Sequence, residues 1–394
     1  MALGVEKQVK VGLIGAGFAG NFHAYGIHRV YGINAKVSVL CEKNEALAKK
    51  ISSKYGIEKN CADYRTLLDD KSIDVIDICA PTNIHHVIIK EALDAGKHVI
   101  CEKPLTGYFG EPGDPELVGT VDKQKMYDVV SRRVADLQKT VKSAKTKFMY
   151  AENWVYAPAV QRTTELLNAS KDKILMMKAD ESHSGAHTAL ANEWRNSGGG
   201  VMIRQGCHPL SAVLFLKQFQ ARVRGEKFGV ESVYADLGYV AQTLDDYDHR
   251  KISAHPKDVE DLSMLHITFI DGTKATIFAG DVVTGGIRNT IEVNTTTSNM
   301  YCNICQNNSL LSYSADPEPL KDLYITGNLE TKAGYQFVQL EEEWFRGQVQ
   351  EFQDFMECVA FGREPVSNID IACDAMRVLY AAYLSAEEGK KILL

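Results

Sequence analysis

The sequence contains a glycine-rich segment, residues 15–20, with the G-x-G-x-x-G spacing of a dinucleotide-binding turn. It follows an apolar, β-branched run at residues 9–14 and precedes a segment that can form a helix. In such a turn the first glycine permits a tight bend, the second lets the backbone approach a pyrophosphate, and the third allows helix and strand to pack closely. The helix N-terminus adds N–H donors and positive potential for the phosphates. The pattern predicts that a dinucleotide is contacted by Gly15, Gly17, Phe18 and Ala19.

Glu42 indicates which dinucleotide is preferred. It ends the next apolar run, 22 residues after Gly20. A carboxylate at this place accepts hydrogen bonds from the adenosine ribose diol and repels a 2′-phosphate, which favours NAD over NADP. The neighbouring Lys43 would attract a phosphate and weakens this preference. We therefore expect NAD as the cofactor, with Glu42 and Lys43 at the ribose, and NADP as the second choice.

Lys103 and His208 are candidate catalytic residues whose surroundings leave more than one interpretation open. Lys103 lies between an apolar run at 98–101 and Pro104. Ligands bind at the carboxyl ends of parallel strands, yet a surface lysine fits the same pattern equally well. His208 follows three glycines at 198–200 and begins an apolar, helix-like run. Because a lone histidine beside apolar residues is more often packed than catalytic, the pattern alone decides neither role.

Alternating strands and helices must position these residues over the first 150 positions. Apolar runs at 9–14, 36–41, 74–80, 98–101 and 147–151 are separated by helical segments, and Asn44 is placed to cap a helix at 45–54 that Gly56 ends. Strands separated by helices predict βαβ units and a doubly wound parallel sheet. Residues 106–125, rich in glycine, proline and acids, predict a long surface loop in this domain: a functional loop, an interface arm or a tolerated insertion.

The second half of the sequence follows a different pattern. From about residue 174 onward β-rich runs succeed one another, with a hairpin signal at Asp271-Gly272, and the chain ends in helical periodicity. We therefore predict an α/β protein of two domains. A Rossmann domain with a doubly wound parallel sheet occupies residues 1–150, and an α/β domain with a mostly antiparallel sheet occupies residues 151–394.

Composition restricts the classes of function. With 44 Lys and Arg against 51 Asp and Glu, the net charge of −7 argues against a nucleic-acid binder. We find no apolar N-terminal segment and no run long enough to cross a membrane, so no membrane association is expected. Nine scattered cysteines predict buried, reduced thiols in a cytoplasmic protein. Cys302-x-x-Cys305 lacks the partners of a zinc site, so no metal is expected.

Together these motifs resemble the Gfo/Idh/MocA oxidoreductases, and the resemblance spans essentially the whole chain. It is carried by the glycine turn, the closing helices and four further motifs: Pro81-x-x-x-His85, Gly96-Lys97-His98-Val99, Glu102-Lys103-Pro104 and the G-G-G…G-x-H segment that ends at His208. The family implies an N-terminal Rossmann domain and a C-terminal domain with an open, mostly antiparallel sheet, which commonly forms a homo-oligomer interface. It also implies hydride transfer between a nicotinamide cofactor and a hydroxyl group of a sugar, cyclitol or related compound.

The resemblance also implies roles for residues. Lys103 matches the family lysine that contacts the reacting oxygen, and His208 matches the acid/base histidine. Cofactor contacts are implied at Pro81, Thr82, Asn83, His85, Glu102 and Lys103. One departure matters, because many members have an aspartate four residues before the histidine, where this chain has Arg204. Arg204 could bind a substrate hydroxyl or acidic group, or it could pair with Glu152 or Glu193.

Two segments are expected to line the substrate pocket. Asn153, Trp154 and Tyr156 align with a family segment that approaches the substrate, and they offer hydrogen bonds and flat faces to a sugar; packing between domains is the alternative. His183 and His187 lie four residues apart, and pocket lining, metal binding or neither remain open. The glycine and serine between them argue against the helix that a metal-binding pair would need.

The sequence leads to three hypotheses of function. The first is an NAD-dependent oxidoreductase acting on a secondary hydroxyl of a sugar or glycoside. The segment at 106–125 and Arg204 look similar to members that oxidise the C3 hydroxyl of glucosides and give a 3-keto product. The second is an NAD-dependent glycoside hydrolase that acts by transient oxidation and elimination. The third is a non-catalytic sensor of NAD and sugar with the same fold.

Overall fold

The computed structural model describes residues 7–186, 189–305 and 310–394. The strands in chain order are β1 Gln8–Ile14, β2 Asn34–Cys41, β3 Lys59–Cys61, β4 Val75–Ile78, β5 His98–Glu102, β6 Phe148–Ala151, β7 Ile174–Ser182, β8 Val230–Gly238, β9 Leu262–Phe269, β10 Lys274–Gly280, β11 Arg288–Thr295, β12 Asn299–Asn303, β13 Leu311–Ser314, β14 Gly334–Phe337 and β15 Ile392–Leu393. The α-helices are α1 Phe18–His28, α2 Glu45–Tyr55, α3 Arg65–Asp69, α4 His85–Asp94, α5 Lys123–Ser143, α6 Asn153–Tyr156, α7 Pro158–Ser170, α8 Trp194–Ser197, α9 Val201–Arg204, α10 Cys207–Arg224, α11 Asp246–His249, α12 Glu342–Phe345, α13 Gln348–Phe361 and α14 Ile369–Glu388.

The chain forms two compact units that are interleaved along the sequence. The first comprises Met1–Thr106, Arg132–Tyr156 and Gly347–Cys373, and the second comprises Gly107–Ser131, Ala157–Arg346 and Asp374–Leu394. This differs from the expected division at residue 150, which follows chain order. The reason is visible in the first unit, where α13 packs against α1. A Cβ on Gly26 would lie 2.2 Å from the Phe352 ring, so this glycine lets the late helix join the early one.

The first unit contains the predicted doubly wound sheet. Its six strands are all parallel and lie in the order β3-β2-β1-β4-β5-β6. The predicted cap of α2 is also present, because Asn44 Oδ1 accepts a hydrogen bond from Leu47 N at 3.1 Å and Gly56 ends the helix at φ +67°. The carboxyl ends of β1, β2, β4 and β5 therefore meet at one edge, where the glycine turn, Glu42 and Lys103 follow their strands.

The second unit contains a mixed, mostly antiparallel sheet, as expected from the β-rich half of the sequence. Its seven strands lie in the order β12-β11-β7-β10-β9-β8-β15, and only β7 and β10 run parallel among the described pairs. Gly272 has φ +80° in the turn between β9 and β10, which confirms the hairpin predicted at Asp271-Gly272. Because β7 and β10 are parallel and pair at Ser182 and Gly280, the segments that follow them start side by side.

The segment expected as a surface loop is anchored to the second unit at both of its ends. Tyr108 and Val118 are buried. Tyr108 N donates to the Tyr380 hydroxyl at 2.6 Å, and Trp194 Nε1 donates to the Tyr108 carbonyl at 3.1 Å. A Cβ on Gly119 would overlap the Asp258 carbonyl. The residues between these ends, at 111–117, are mostly exposed, so the segment is a loop with packed ends.

Two further observations concern the whole chain. All nine cysteines lie within the described residues and none of them forms a disulfide; seven are buried and two are half-buried. Among the described residues, we find no helix with the length and apolar character that crossing a membrane requires.

Candidate active site

The glycine turn has the geometry that a dinucleotide site requires. Gly15 has φ +98°, and a Cβ on it would lie 2.4 Å from the Cys79 carbonyl oxygen. A Cβ on Gly20 would lie 2.1 Å from the Gly15 carbonyl oxygen, so both glycines are needed for close packing. A Cβ on Gly17, in contrast, would meet nothing within 4 Å. This open space at the N-terminus of α1 is where a pyrophosphate would approach the backbone.

Glu42 is held at the end of β2 by backbone groups. Its Oε2 accepts a hydrogen bond from Ala16 N and its Oε1 accepts one from Asn44 N, both at 2.9 Å. A carboxylate has about four lone-pair sites, so these two bonds leave acceptor capacity for a ribose diol. Lys43 and Phe18 are exposed, and the Phe18 ring meets the edge of Phe22 at 4.7 Å. The residues present fit NAD.

His23 is a functional candidate that was not expected from the sequence. Its Nδ1 lies 2.8 Å from Asp77 Oδ1, its Nε2 lies 3.1 Å from Glu102 Oε1, and it is 3% exposed. Burial alone would lower the pKa of His23, but the charge and hydrogen bond of Asp77 raise it well above its usual value. Burial alone would raise the pKa of Glu102, but His23 holds it below its usual value. An imidazolium thus bridges two carboxylates and ties α1 to the residue before Lys103.

A signal for this bridge was present in the sequence. Asp77 is an acidic residue inside an otherwise apolar strand, and a buried carboxylate requires a charged or hydrogen-bonding partner. What the pattern does not contain is the identity of that partner. His23 lies 54 residues earlier, on the helix that follows the glycine turn.

The segment after β4 contains both accessible and buried residues. Pro81 and Asn83 are exposed and Thr82 is half-buried, so these three can be reached from solvent. His85 is 1% exposed, and its ring nitrogens lie 2.8 and 3.1 Å from two carbonyl oxygens, the second that of Pro104. Burial lowers the pKa of His85. His85 thus lies beneath the surface and joins the segments that follow two strands, and its expected cofactor contact stays a prediction.

The short helix α6 does not present its aromatic side chains to solvent. Trp154 is 0% exposed, and Asn153 and Tyr156 are also buried. The Tyr156 hydroxyl donates to Asp354 Oδ2 at 2.7 Å and accepts from Ser367 N at 2.9 Å. These partners lie in the same unit and favour internal packing, and the expectation that Tyr156 lines a substrate pocket stays a prediction.

His208 follows a tightly packed triple-glycine segment in the second unit. It is the second residue of α10 and is 5% exposed. A buried carboxylate, Glu260, accepts hydrogen bonds from Gly200 N at 3.1 Å, Met202 N at 2.9 Å and the Tyr383 hydroxyl at 2.8 Å. Burial raises the pKa of Glu260 to about 7 against these hydrogen bonds. The triple glycine therefore gives a fixed approach to α10 and not a flexible turn.

Arg204 has a partner that the sequence did not suggest. Its Nη2 donates to Asp281, which follows the end of β10. Of the two partners expected, Glu193 pairs instead with Lys257, and a pairing with Glu152 stays a prediction. The carboxylate that the sequence lacks four residues before His208 is thus replaced by an ion pair at that position.

His183 lies next to this ion pair, at the end of the neighbouring strand. It is 4% exposed, its Nδ1 lies 2.9 Å from Asn328 Nδ2, and its Nε2 lies 2.8 Å from Gln205 Nε2. Its Nδ1 lies 3.8 Å from Asp281 Oδ1. His187 is outside the described residues, so the metal alternative for this pair of histidines stays untested.

Comparisons with known proteins agree with this geometry. A family model described as an oxidoreductase family with an NAD-binding Rossmann fold, GFO_IDH_MocA, matches residues 9–111. A second model, the GFO/IDH/MocA C-terminal domain, matches residues 172–300.

Similar proteins were found in sequence and in structure. The chain is 39% identical over 105 residues to levoglucosan dehydrogenase of Pseudarthrobacter phenanthrenivorans, which is 25% of this chain and 27% of that protein. It is 35% identical over 133 residues to glycosyl hydrolase family 109 protein 2 of a Shewanella species, covering 31% and 28%. The match thus spans less than a third of either relative. The crystal structure of GenD2 from gentamicin A biosynthesis, in complex with NAD, superposes with a TM-score of 0.78 at 20% identity over 99% of this chain and 97% of that one, which shows a shared fold.

Proposed function

The chain belongs to the Gfo/Idh/MocA family of NAD-binding oxidoreductases, and from this we propose that it oxidises a secondary hydroxyl group of a sugar or glycoside with NAD as hydride acceptor. One observation carries the proposal. Along one edge of the parallel sheet, the open turn at Gly17, the anchored carboxylate of Glu42 and Lys103 follow the ends of β1, β2 and β5. This is the edge at which doubly wound sheets bind ligands.

The reaction needs a base for the hydroxyl proton and a group that stabilises the developing alkoxide. We assign the first role to His208, because imidazole is the side chain that most often accepts a proton in catalysis near neutral pH. The Lys103 ammonium takes the second role and stabilises the developing alkoxide. Lys103 directly follows Glu102, the last residue of β5, which His23 bridges to Asp77. When bound, NAD supplies the acceptor for the hydride of the carbinol carbon. Gly17 and Glu42 would hold its pyrophosphate and its adenosine ribose.

The relative named levoglucosan dehydrogenase supports a carbohydrate as the substrate class. Within this class we propose the C3 hydroxyl of glucosides, on the basis of the packed segment after Glu102-Lys103-Pro104 and of Arg204. The test is incubation of the protein and NAD with a panel of glucosides and free polyols, followed by mass spectrometry. A 3-keto glucoside is expected, and oxidation of free polyols alone contradicts the finer proposal.

A control variant tests whether the protein is catalytic at all. His208→Ala is expected to lower turnover by roughly 10²–10⁴-fold, the usual contribution of a general base. NAD binding, measured by fluorescence titration, should change little, because the glycine turn lies in the other unit. Unchanged activity in His208→Ala would remove this base from the mechanism, whereas NAD binding without turnover in the wild type would favour the sensor.

Glycoside hydrolysis by transient oxidation and elimination is the second candidate function. The relative named glycosyl hydrolase family 109 protein 2 favours it. The two candidates differ in products, because hydrolysis releases the free aglycone without net NADH. Absorbance at the NADH band, recorded together with aglycone release from an aryl glucoside, separates them.

Self-association through the seven-stranded sheet also belongs to the proposal. Strands of this sheet carry exposed apolar and aromatic side chains at Met176, Tyr234, Met264 and Tyr301. Light scattering after size-exclusion chromatography gives the mass, and a monomer at micromolar concentration contradicts this part.

A further inference from the structure

The guanidinium of Arg204 is matched by a buried carboxylate. Arg204 ends α9, four residues before His208, and Asp281 follows β10. Asp281 is 4% exposed; one of its oxygens accepts from Arg204 Nη2 and the other accepts from Gln205 Nε2 at 2.6 Å. Burial raises the pKa of Asp281, and the charge of Arg204 opposes this shift. The two side chains form an ion pair without net charge.

A second carboxylate lies close to this pair. Asp281 N donates to the Asp261 carbonyl at 2.8 Å, and the charge of Asp261 adds to the rise in the pKa of Asp281. The Asp261 carboxylate itself accepts from Val240 N at 2.8 Å and from Ala241 N at 2.7 Å. An acidic ligand at Arg204 would therefore meet one cation accompanied by two carboxylates.

From this charge balance we infer that Asp281 is a specificity-determining residue, which neutralises Arg204 and restricts the substrate to sugars and glycosides without an acidic group. A hydroxyl group adds no charge to the pair. A carboxylate would compete with Asp281 for the same guanidinium and would lose its hydration on entering. The inference rests on the proposed function. It argues against one alternative left open by the sequence, in which Arg204 binds an acidic group of the substrate.

One feature of the second unit opposes this inference and makes it testable. Asn328, which contacts His183, also lines a cavity of about 570 Å³ whose wall contains Arg250, Lys251 and Glu330. Because two cations and one carboxylate line its wall, this cavity would favour a sugar with an acidic substituent. If this cavity and not Asp281 decides the charge preference, the wild-type protein accepts acidic sugars.

The experiment compares two substrates that differ in one charged group, methyl β-glucoside and methyl β-glucuronide. We expect kcat/KM of the wild type to favour the neutral glycoside by at least roughly tenfold, as for one charge-assisted hydrogen bond. Asp281→Asn should shift the ratio about tenfold toward the glucuronide, because the carboxylate that competes for the Arg204 guanidinium is then removed. The double variant that combines Asp281→Asn with Arg204→Gln should return this ratio toward its wild-type value. Equal use of both glycosides by the wild type, or an unchanged ratio in Asp281→Asn, overturns the inference.

Two controls separate this result from other causes. Glu193→Gln removes one carboxylate from the exposed pair with Lys257 and should leave the ratio unchanged. Calorimetric titration of both glycosides into the NADH-loaded protein measures the preference without turnover. A neutral preference in binding without oxidation contradicts the proposed function and supports the inference; binding of neither glycoside contradicts both. If Asp281→Asn does not fold, the test uses the wild type and the double variant. A preference of either protein for the glucuronide then overturns the inference.

Discussion

Each unit contains a buried ion pair beside a candidate catalytic residue, and the two pairs differ in how they are enclosed. In the first unit His23 lies between Asp77 and Glu102, with side-chain exposures of 3%, 0% and 19%. In the second unit the side chain of Arg204 is 19% exposed and that of its partner Asp281 is 6% exposed. The difference lies in the cations, because an enclosed cation can hold strands together but cannot meet a ligand, whereas a partly open cation can do both. The comparison assigns positioning of Lys103 to the first pair and ligand selection to the second.

The largest expected effect is that of removing the enclosed cation. His23→Ala leaves Asp77 and Glu102 buried without a counter-charge, and breaking a buried pair in this way destabilises a protein by about 3–5 kcal/mol. The free energy of unfolding in urea measures it. His28→Ala, an exposed histidine at the end of the same helix, should change it by less than about 0.5 kcal/mol.

The pH dependence of the same variant sharpens the assignment. The pKa of His23 is higher in the folded protein than in the unfolded chain, so its stabilisation is complete below about pH 6.5 and is lost as the pH rises through the folded value. His23→Ala should lack this loss on the alkaline side. An alkaline profile identical to that of the wild type would contradict an imidazolium bridge.

The buried carboxyl group of Glu260 gives the next effect. The folded protein keeps the Glu260 proton up to about pH 7, whereas the unfolded chain releases it near 4.5. Stability therefore falls as the pH rises between these values, by roughly 3 kcal/mol. Glu260→Gln should flatten this slope in urea unfolding between pH 4.5 and 7. Glu165→Gln, at an exposed position of the same unit, should leave the slope as it is.

A substitution at Tyr156 tests whether this residue is structural. Tyr156→Phe removes the hydrogen bonds to Asp354 and Ser367, and we expect a loss of about 1–3 kcal/mol in stability because a buried carboxylate oxygen loses one of its donors. The KM for the glycoside should stay within about twofold. Tyr247→Phe, an exposed tyrosine, is the control. A large change in KM without a change in stability would support Tyr156 as part of the substrate pocket.

The distance in sequence explains which features could be predicted. The parallel sheet, the Asn44 cap and the Asp271-Gly272 turn depend on residues close together in the chain, and they were predicted. The partner of Tyr156 lies 198 residues away and that of Arg204 lies 77 residues away, so no local pattern contains them. The sequence thus identified Lys103, His208 and Arg204 as candidates, but it did not identify the charged side chains around them. His85 shows the converse. Its motif was recognised in the sequence, but its burial and the contacts of its ring with two carbonyl oxygens were not predicted.

The smallest expected effect concerns Glu42, a carboxylate that accepts hydrogen bonds from two backbone N–H groups. Glu42→Ala removes the acceptor for the ribose diol and the repulsion of a 2′-phosphate, so the ratio of kcat/KM for NAD over NADP should fall by roughly tenfold. The same change also frees Ala16 N and Asn44 N, which weakens the turn for both cofactors. Because this weakening affects NAD and NADP alike, it cancels in the ratio, which therefore measures only the discrimination between the two cofactors. Glu45→Ala takes the same charge from an exposed position three residues on and should not alter the ratio. If Glu42→Ala also leaves the ratio unchanged, the preference for NAD arises elsewhere, and backbone anchoring of Glu42 serves the glycine turn alone.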